Sequence, residues 1–241
     1  AHAIKIHPSD PWCLQYQEFL KPEEENYASP YTQEWQKIEI PDGLDLATAN
    51  YVNLLDQRIV KVHQNGNSSE TVHFAVKILT DNGVKQKQVH GIYFEGGTED
   101  VRILRARVWK PDGTFYDAPA AEKRSTASAS DAASKLYGDY KVAIVRFPAL
   151  EKGAVLELKY EKEQKGENLY ADYFGDQFYA GDPGYEPSVL SHYVLITPSS
   201  RDFYWNYTPP HYPDSADTSI TTLNGKPTIE KSGGETVYQW T

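Results

Sequence analysis

The sequence predicts an all-β protein: an antiparallel β-sandwich of two sheets with long loops and a short helical lead-in. Short segments of alternating apolar and polar residues recur along the chain, and turn residues such as Asn-Gly and Pro-Asp-Gly separate them. Few segments show helical spacing, which favours a two-sheet architecture. Single all-β domains reach the 241 residues of this chain, so its length does not require two large domains.

Residues 1–44 form the predicted lead-in, which is partly helical. Ser9-Asp10-Pro11 is a helix start signal, because Ser or Asp can cap the first free amides and Pro fits the first helical position. The acidic run Glu23–Glu25 indicates a solvated connector, and Pro41-Asp42-Gly43 indicates a turn. We therefore expect the β-sandwich domain to comprise residues 45–241.

The clearest predicted strand is Thr71–Leu79. Val72, Phe74, Val76 and Ile78 alternate there with Thr71, His73, Ala75 and Lys77. The first set is predicted to face the core and the second to face water, because successive strand residues point to opposite sides. Leu156–Tyr160 repeats the pattern, with Glu157 and Lys159 on the predicted wet side. Further strands are predicted at Leu54–His63, Val84–Phe94, Asp100–Trp109, Thr114–Tyr116, Tyr140–Phe147, Ala154–Lys162, Val189–Ile196, Asp202–Tyr207, Thr218–Leu223 and Glu235–Trp240.

Two Asn-Gly pairs predict how the first strands connect. Asn65-Gly66 is the preferred centre of a two-residue hairpin turn, since both positions require a positive φ. A hairpin about that turn would place Lys61 opposite Glu70, a favourable cross-strand pair. Asn82-Gly83 repeats the signal and would continue the hairpin into a three-stranded meander.

Charge and hydropathy exclude two classes of partner. The chain has 24 Lys and Arg against 34 Asp and Glu, a net charge of −10. Nucleic-acid binding requires a basic face that displaces counterions from phosphates, so we expect no nucleic-acid partner. We also expect no membrane insertion, since no apolar run approaches the roughly 20 residues of a membrane-spanning helix.

The sequence shows no motif of a catalytic or cofactor-binding site. Gly-x-Ser-x-Gly, His-Glu-x-x-His and a phosphate-binding glycine loop are all absent, so no cofactor is predicted. Cys13 is the only cysteine, which excludes an intramolecular disulfide, and no catalytic-thiol signature surrounds it. His63 and His73 lie on neighbouring predicted strands, but two histidines make an incomplete metal site. We expect no catalytic residue and no metal.

The segment 168–187 combines aromatic and acidic residues in a long excursion between strands, and such loops are usually functional or disordered. Asp172, Asp176 and Asp182 could offer oxygens to Ca²⁺, although solvated carboxylates are the favoured interpretation. Tyr and Trp pair a flat apolar face with a polar tip, which suits sugars and protein interfaces equally. The candidate ligand-binding residues are Tyr170, Tyr173, Phe174, Trp205 and Tyr207.

The order of features along the chain resembles a known family. These features are Lys77-Ile78-Leu79, Asn82-Gly83, Glu99, Val101, Ala106-Arg107-Val108, Pro111-Asp112-Gly113, Tyr140, Phe147-Pro148, Leu150, Gly153, Leu156–Tyr160, Leu195-Ile196 and Pro198. Together they resemble the β-domain of unknown function 3857, over about residues 45–241. In bacterial proteins that domain typically precedes a transglutaminase-like domain, often with a signal peptide in front.

The resemblance implies a partner and a compartment. We expect a downstream transglutaminase-like domain of the same protein as partner, and an extracytoplasmic location, periplasmic or secreted. We also expect the chain to be truncated before that domain, because it stops at Trp240-Thr241 as a strand ends. The partner's Cys-His-Asp constellation has no counterpart here, since Cys13 precedes the β-domain.

Three hypotheses about function follow. The first is a non-catalytic accessory domain that packs on, or positions, the downstream cysteine-dependent catalytic domain. The second is a module that binds glycan or peptide with its exposed aromatic residues. The third and least favoured is an independent enzyme, which would require a cleft that brings Cys13 together with a histidine, or a bound metal.

Overall fold

The computed structural model describes residues 10–125, 139–168, 173–180, 186–206 and 225–241. The strands within these residues are β1 (Tyr51–Val62), β2 (Ser68–Ile78), β3 (Val89–Glu95), β4 (Glu99–Trp109), β5 (Phe115–Asp117), β6 (Glu122–Ser125), β7 (Tyr140–Arg146), β8 (Val155–Gln164), β9 (Ser188–Pro198), β10 (Thr228–Ser232) and β11 (Glu235–Trp240). The helices are α1 (Pro11–Phe19) and α2 (Asp81–Lys87), with single 3₁₀ turns at Glu23–Glu25, Ser29–Tyr31 and Trp35–Lys37.

The strands form two sheets, which confirms the predicted all-β architecture. The large sheet has eight strands in the order β10-β11-β9-β1-β2-β8-β4-β5, and the small sheet has three in the order β3-β7-β6. Neighbouring strands are antiparallel with one exception, since β1 and β9 run parallel. The lead-in therefore precedes a sandwich whose layers differ in width.

The main core lies between the two sheets. Val76 and Ile78 of β2 and Leu156 and Leu158 of β8 belong to one buried cluster with the small-sheet side chains Ile92, Phe94, Ala143 and Val145. These β2 and β8 side chains are the ones that alternation assigned to the core. We call this side of the large sheet its core face.

The opposite side of the large sheet corrects the sequence prediction. Thr71, His73, Glu157 and Lys159 were expected to face water, yet each is 2% exposed or less. Residues 10–44 lie across this side, where Trp35 packs with Val52, Leu55 and Ala75, and Tyr27, Ala28 and Tyr31 pack with Ile59 and Val194. We call this side the polar face, and residues 10–44 the strap.

The first hairpin forms where it was predicted, but its register is shifted by one residue. Lys61 lies opposite Ser69 instead of Glu70. The His63 amide donates to the Asn67 carbonyl over 2.9 Å, and Gly66 alone adopts a left-handed conformation, with φ 82°. The connection is thus longer than a two-residue turn, and the extra residue moves the pairing.

The second Asn-Gly pair does not form a turn, so the predicted meander is wrong. Residues 81–87 form helix α2, and the next strand, β3, begins at Val89 and joins the small sheet. The Thr80 hydroxyl accepts the Gly83 amide over 3.1 Å, which caps the helix. A Cβ on Gly83 would lie 2.2 Å from the Asn50 carbonyl oxygen, so this glycine serves close packing.

The strand predicted at Asp202–Tyr207 is also wrong over its described part. Residues 202–206 form no regular secondary structure. Phe203 contacts β9 and the segment 173–180, and Trp205 contacts Trp240 of β11. The strand predicted at Thr218–Leu223 lies outside the described residues.

Candidate functional site

An aromatic segment, residues 173–180, lies on the core face of the large sheet, over β1 and β9. Phe178 stacks on Tyr193 of β9 with ring centroids 5.1 Å apart, and Phe174 meets Phe203 edge-on at 6.1 Å. Phe174, Phe178 and Phe203 pack against a buried cluster of β1 and β9 side chains. The segment is therefore anchored by its phenylalanines.

Polar contacts fix the same segment to β1 and β9. The Tyr193 hydroxyl donates to Asp176 Oδ2 over 2.7 Å, and Arg58 Nη2 lies 3.0 Å from Asp176 Oδ1. Arg58 also donates to the Gln177 carbonyl over 3.2 Å. Burial, together with the Asp176 carboxylate, raises the pKa of the Tyr193 phenol, so its proton stays in the bond. Asp176 is thus occupied by contacts within the chain.

Four other rings near this segment point into solvent. They are Tyr173, Tyr179, Tyr204 and Trp205, and we call them the aromatic surface. Tyr204 is 96% exposed. Trp205 meets Trp240 of β11 edge-on at 6.2 Å, and Trp240 in turn contacts Tyr193 at 5.5 Å. Trp205 therefore places the aromatic surface beside β11, the strand next to the edge strand β10.

Three of the five candidate ligand-binding residues are described. Tyr173 and Trp205 are exposed, and Phe174 is half-buried against Phe203. Tyr170 and Tyr207 lie outside the described residues, as do Asp172 and Asp182 of the suggested Ca²⁺ group. That these rings bind a ligand stays a prediction.

A small polar pocket opens on the core face, between the aromatic segment and the strands β1, β2, β4 and β8. Its volume is about 130 Å³, and its lining includes Arg58, Glu70, Glu99, Lys162 and Phe174. Glu70 lies 2.8 Å from Arg58 Nε. Lys162 Nζ lies 3.5 Å from Glu99 and 3.6 Å from Glu70, longer than a hydrogen bond of 2.7–3.2 Å. The ammonium group therefore keeps donors for a small ligand that carries hydroxyl or carboxylate oxygens.

Sequence reasoning missed this pocket, although a signal for it was present. The alternation that places Val72 and Tyr160 on the core face also places Glu70 there, two residues before Val72, and Lys162, two residues after Tyr160. Charged residues that continue a core-facing row mark the point where the covering layer ends. The sequence thus showed that charged residues continue the core-facing row, but it could not show that the small sheet does not cover them.

The polar face holds a second group of ionisable side chains, buried beneath the strap. Glu157 accepts hydrogen bonds from His73 (3.1 Å), Arg105 (3.0 Å) and Trp109 (2.8 Å). Burial alone would raise the pKa of Glu157, but these three donors outweigh it and lower the pKa to about 2. Lys159 Nζ lies 2.6 Å from Glu23 of the strap. These charges are paired, as buried charges must be.

The described histidines have partners other than Cys13. His63 contacts Ser69 at 2.5 Å, His73 contacts Glu157, His192 contacts Gln57 at 2.7 Å, and His90 packs on Phe74. Within the described residues no group of three or more His, Cys, Asp or Glu side chains is placed to hold a metal ion. In the same part of the chain, none of the helices has the length and apolar character needed to cross a bilayer.

Comparison with known families decides the family. The family model described as "Domain of Unknown Function with solved-structure structure (DUF3857)" matches residues 64–241. The chain belongs to this family. The match begins at the β1–β2 turn, so the strap and β1 of this DUF3857 domain precede the matched region.

One solved structure shares the fold of this DUF3857 domain at low identity. A proposed protease from Parabacteroides distasonis is 16% identical with a TM-score of 0.59, and the match covers 79% of this chain. The chain spans only 35% of that protein. An M1 zinc metallopeptidase from Deinococcus radiodurans is 12% identical, with a TM-score of 0.33 over 80% of this chain and 39% of its own.

A third structure, the family 3a carbohydrate binding module from the CipA scaffolding of Clostridium thermocellum, is 12% identical with a TM-score of 0.24. That match covers 40% of this chain and 65% of the module. The last two TM-scores are too low to carry an argument. No curated protein matches the chain.

Proposed function

We propose that this DUF3857 domain is a non-catalytic accessory β-domain of an extracytoplasmic bacterial protein. Its role is to pack on and position a downstream, cysteine-dependent transglutaminase-like domain of the same protein. The observation that carries this proposal is the aromatic surface, in which Tyr204 is 96% exposed and Trp205 lies beside Trp240. Exposed clusters of large rings are typical of interaction sites, because burying them against a partner is favourable.

The anchoring of these rings supports the proposal. Phe174 and Phe178 hold the aromatic segment on the sheet, and Phe203 does the same for residues 201–206. The exposed rings therefore project from anchored backbone. A partner that meets a pre-ordered surface loses less conformational freedom on binding. The Parabacteroides distasonis protein, of which the matched fold is 35%, is a case in which this fold is one part of a longer chain.

Hydrogen exchange on the longer natural gene product tests the proposal. Amides of residues 173–180 and 201–206 are expected to exchange more slowly there than in the 241-residue chain. Tyr204→Ser combined with Trp205→Ser is expected to remove the difference and lower the melting temperature of the catalytic domain. Tyr93→Ser, a ring 70% exposed on the small sheet, is the matched control and is expected to change neither.

Two outcomes contradict the proposal. One is equal exchange of both segments in the two chains, which would mean that nothing covers the aromatic surface. The other is a natural gene product in which no catalytic-thiol domain follows this one.

A second candidate function, a glycan- or peptide-binding module, is favoured by the polar pocket. Lys162 offers donors, Glu70 and Glu99 offer acceptors, and Phe174 forms an apolar wall. That combination suits hydroxylated rings and peptide termini. Titration of the 241-residue chain with oligosaccharides and short peptides, followed by tryptophan fluorescence, tests it. Saturable binding that Lys162→Ala abolishes supports the module, and no saturable change with any ligand contradicts it.

A further inference from the structure

Polar contacts dominate the side of the strap that carries α1. Gln15 Nε2 donates to Glu163 Oε1 over 2.5 Å, and also to the Gln164 carbonyl over 2.6 Å. Asn26 donates to Glu161. Water can replace each of these bonds when the strap leaves, so their net contribution to docking is modest, about 0.5–1.5 kcal/mol per bond.

Among the described side chains of helix α1, Gln15 is buried against the sheet together with Cys13, while Leu14 and Tyr16 face solvent, as does Leu20 just after the helix. Phe19 is half-buried, and its ring lies 4.9 Å from the Arg102 guanidinium. An amphipathic helix normally shows the reverse arrangement, because burying its apolar stripe drives docking. For the side chains that the structure describes, apolar contact at this end is therefore limited to Cys13 and Phe19. Trp35, which packs with Val52 and Leu55, anchors the other end of the strap.

Glu163 lies between α1 and the sheet, with one carboxyl oxygen buried and without a hydrogen-bond partner among the described residues. Its side chain is 2% exposed, and the oxygen in question is Oε2. The charged and titratable groups that face it are Glu161 on β8, Asp100 opposite it on β4, His63 at the end of β1 (Nε2 4.0 Å away) and Glu18 on α1. Three of these four neighbours are carboxylates.

The cations nearby are already paired. Arg102 binds Glu161, Lys165 lies 3.0 Å from Asp100, and Lys21 lies 2.6 Å from Glu18. Within the described residues Glu163 has no Lys or Arg partner, in contrast to Glu157 and Glu161 on the same strand. A buried negative charge at Glu163 would therefore be repelled by its neighbours and unpaired.

We propose that the α1 end of the strap is a pH-gated latch: it lies on the polar face while Glu163 carries a proton and leaves when Glu163 loses it. Release hydrates the Glu163 carboxylate and exposes the polar face. The alternating sequence of β8 is compatible with both states, since its polar-face side chains can also be solvated.

The direction of the pH effect follows from the carboxyl's environment. Burial, with Glu161 and Glu18 adding to it, outweighs the hydrogen bonds from Ser69 and Gln15 and raises the pKa of Glu163 to about 8, whereas a hydrated Glu has a pKa near 4.5. The closed form thus holds the proton more tightly than the open form. The opening constant rises with pH between these two values and levels off above pH 8, which gives a rise of roughly 50-fold from pH 6 to pH 8.

Cys13 provides the probe, because it is buried on α1 and is the only cysteine of the chain. The rate of its reaction with a thiol reagent is measured from pH 6 to pH 9 in the 241-residue chain and in Glu163→Gln. Dividing the rate for the unaltered chain by the rate for Glu163→Gln removes the pH effects that the two chains share. This ratio is expected to rise roughly 50-fold between pH 6 and pH 8 and by less than a further twofold up to pH 9.

Glu34→Gln is the matched control, because Glu34 is an exposed strap carboxylate paired with Lys37. Its ratio to the unaltered chain is expected to stay within twofold at every pH. A Glu163→Gln ratio that is equally flat overturns the proposal, since Glu163 would then not control release.

A measurement without substitution applies if Glu163→Gln fails to fold. Cleavage by a glutamate-specific endoprotease after Glu18 of α1 is compared with cleavage after Glu151, an exposed turn residue, in the same digest of the unaltered chain. The Glu18-to-Glu151 cleavage ratio is expected to rise about 15-fold between pH 6.5 and pH 8. A constant ratio overturns the proposal.

Discussion

Replacing Glu157 by Gln tests whether the buried charges on the polar face stabilise the domain. Glu157 is fully buried, and its carboxylate accepts hydrogen bonds from His73, Arg105 and Trp109. Glutamine keeps the shape but removes the negative charge and turns one acceptor into a donor. That donor would face N–H groups, and the Arg105 charge would lose a partner, so we expect a lower free energy of unfolding.

The pKa of Glu157 gives the magnitude. Burial opposes ionisation, but the three donors outweigh it, so the pKa falls from 4.5 in the unfolded chain to about 2 in the folded protein. At 1.36 kcal/mol per pKa unit, the ionised carboxylate contributes roughly 3 kcal/mol at neutral pH. A lowered carboxyl pKa gives stability that is complete above pH 4.5 and lost as the pH falls towards 2. At pH 3 the contribution is roughly 1.5 kcal/mol.

Urea denaturation of both chains at pH 7 and pH 3 measures this difference. The gap in unfolding free energy is expected to be roughly 3 kcal/mol at pH 7 and about half of that at pH 3. Glu151→Gln, at an exposed turn, is the matched control and is expected to change stability by less than about 0.5 kcal/mol at either pH. A Glu157→Gln gap below 1 kcal/mol, or one independent of pH, would refute the reasoning.

Two further substitutions test local packing by urea denaturation. Gly83→Ala places a Cβ 2.2 Å from the Asn50 carbonyl oxygen and is expected to destabilise the domain by about 1–3 kcal/mol. Gly97→Ala is the control, because a Cβ at that position would meet nothing within 4 Å. Equal effects of the two substitutions would contradict the role of close packing. Tyr193→Phe removes the 2.7 Å hydrogen bond to Asp176 and is expected to lower the free energy of unfolding by about 1.5–3 kcal/mol. Chymotrypsin is expected to cleave faster within residues 173–180 of this variant. Unchanged stability and cleavage would show that the hydrogen bond does not hold the segment.

Alternation predicted the strands well but only one of the two buried faces. On β2, Val76 and Ile78 face the core as expected, while Thr71 and His73 on the opposite side are buried as well. A polar row indicates water only if nothing else covers it. Here the strap supplies partners for the polar row; the Tyr27 hydroxyl, for example, is hydrogen-bonded to Thr71, 44 residues later in the chain. A pattern within one strand cannot show which distant segment covers it.

The two Asn-Gly pairs show the same limit for turns. Asn65-Gly66 lies in a real turn because its neighbours pair as strands, with Gly66 in the left-handed conformation. Gly83 lies in a helix because Thr80 caps that helix and the Asn50 carbonyl requires a residue without a side chain. The local signal was identical, and the tertiary contact decided the outcome.

The sequence predicted part of the candidate site. The density of rings in 168–187 and 203–207 indicated an aromatic feature, and Tyr173 and Trp205 are exposed within it. Their arrangement depends on Phe174, which was predicted to bind a ligand, and on Phe178, which was not among the candidates; both pack on the sheet as anchors. The position of the sheet beneath decides which rings are anchors and which are exposed. In an irregular segment the spacing of the rings along the sequence does not predict this.

The unequal widths of the two sheets explain why an aromatic surface exists at all. Strands lie about 4.8 Å apart, so eight strands span roughly 34 Å and three span roughly 10 Å. The small sheet therefore covers only part of the core face. Over the β1, β9 and β11 part, the cover consists of the phenylalanines of two irregular segments, and the outer rings Tyr204 and Trp205 remain in water. A second domain seated there would complete the missing layer, which is why we place the partner on this surface and not on the polar face.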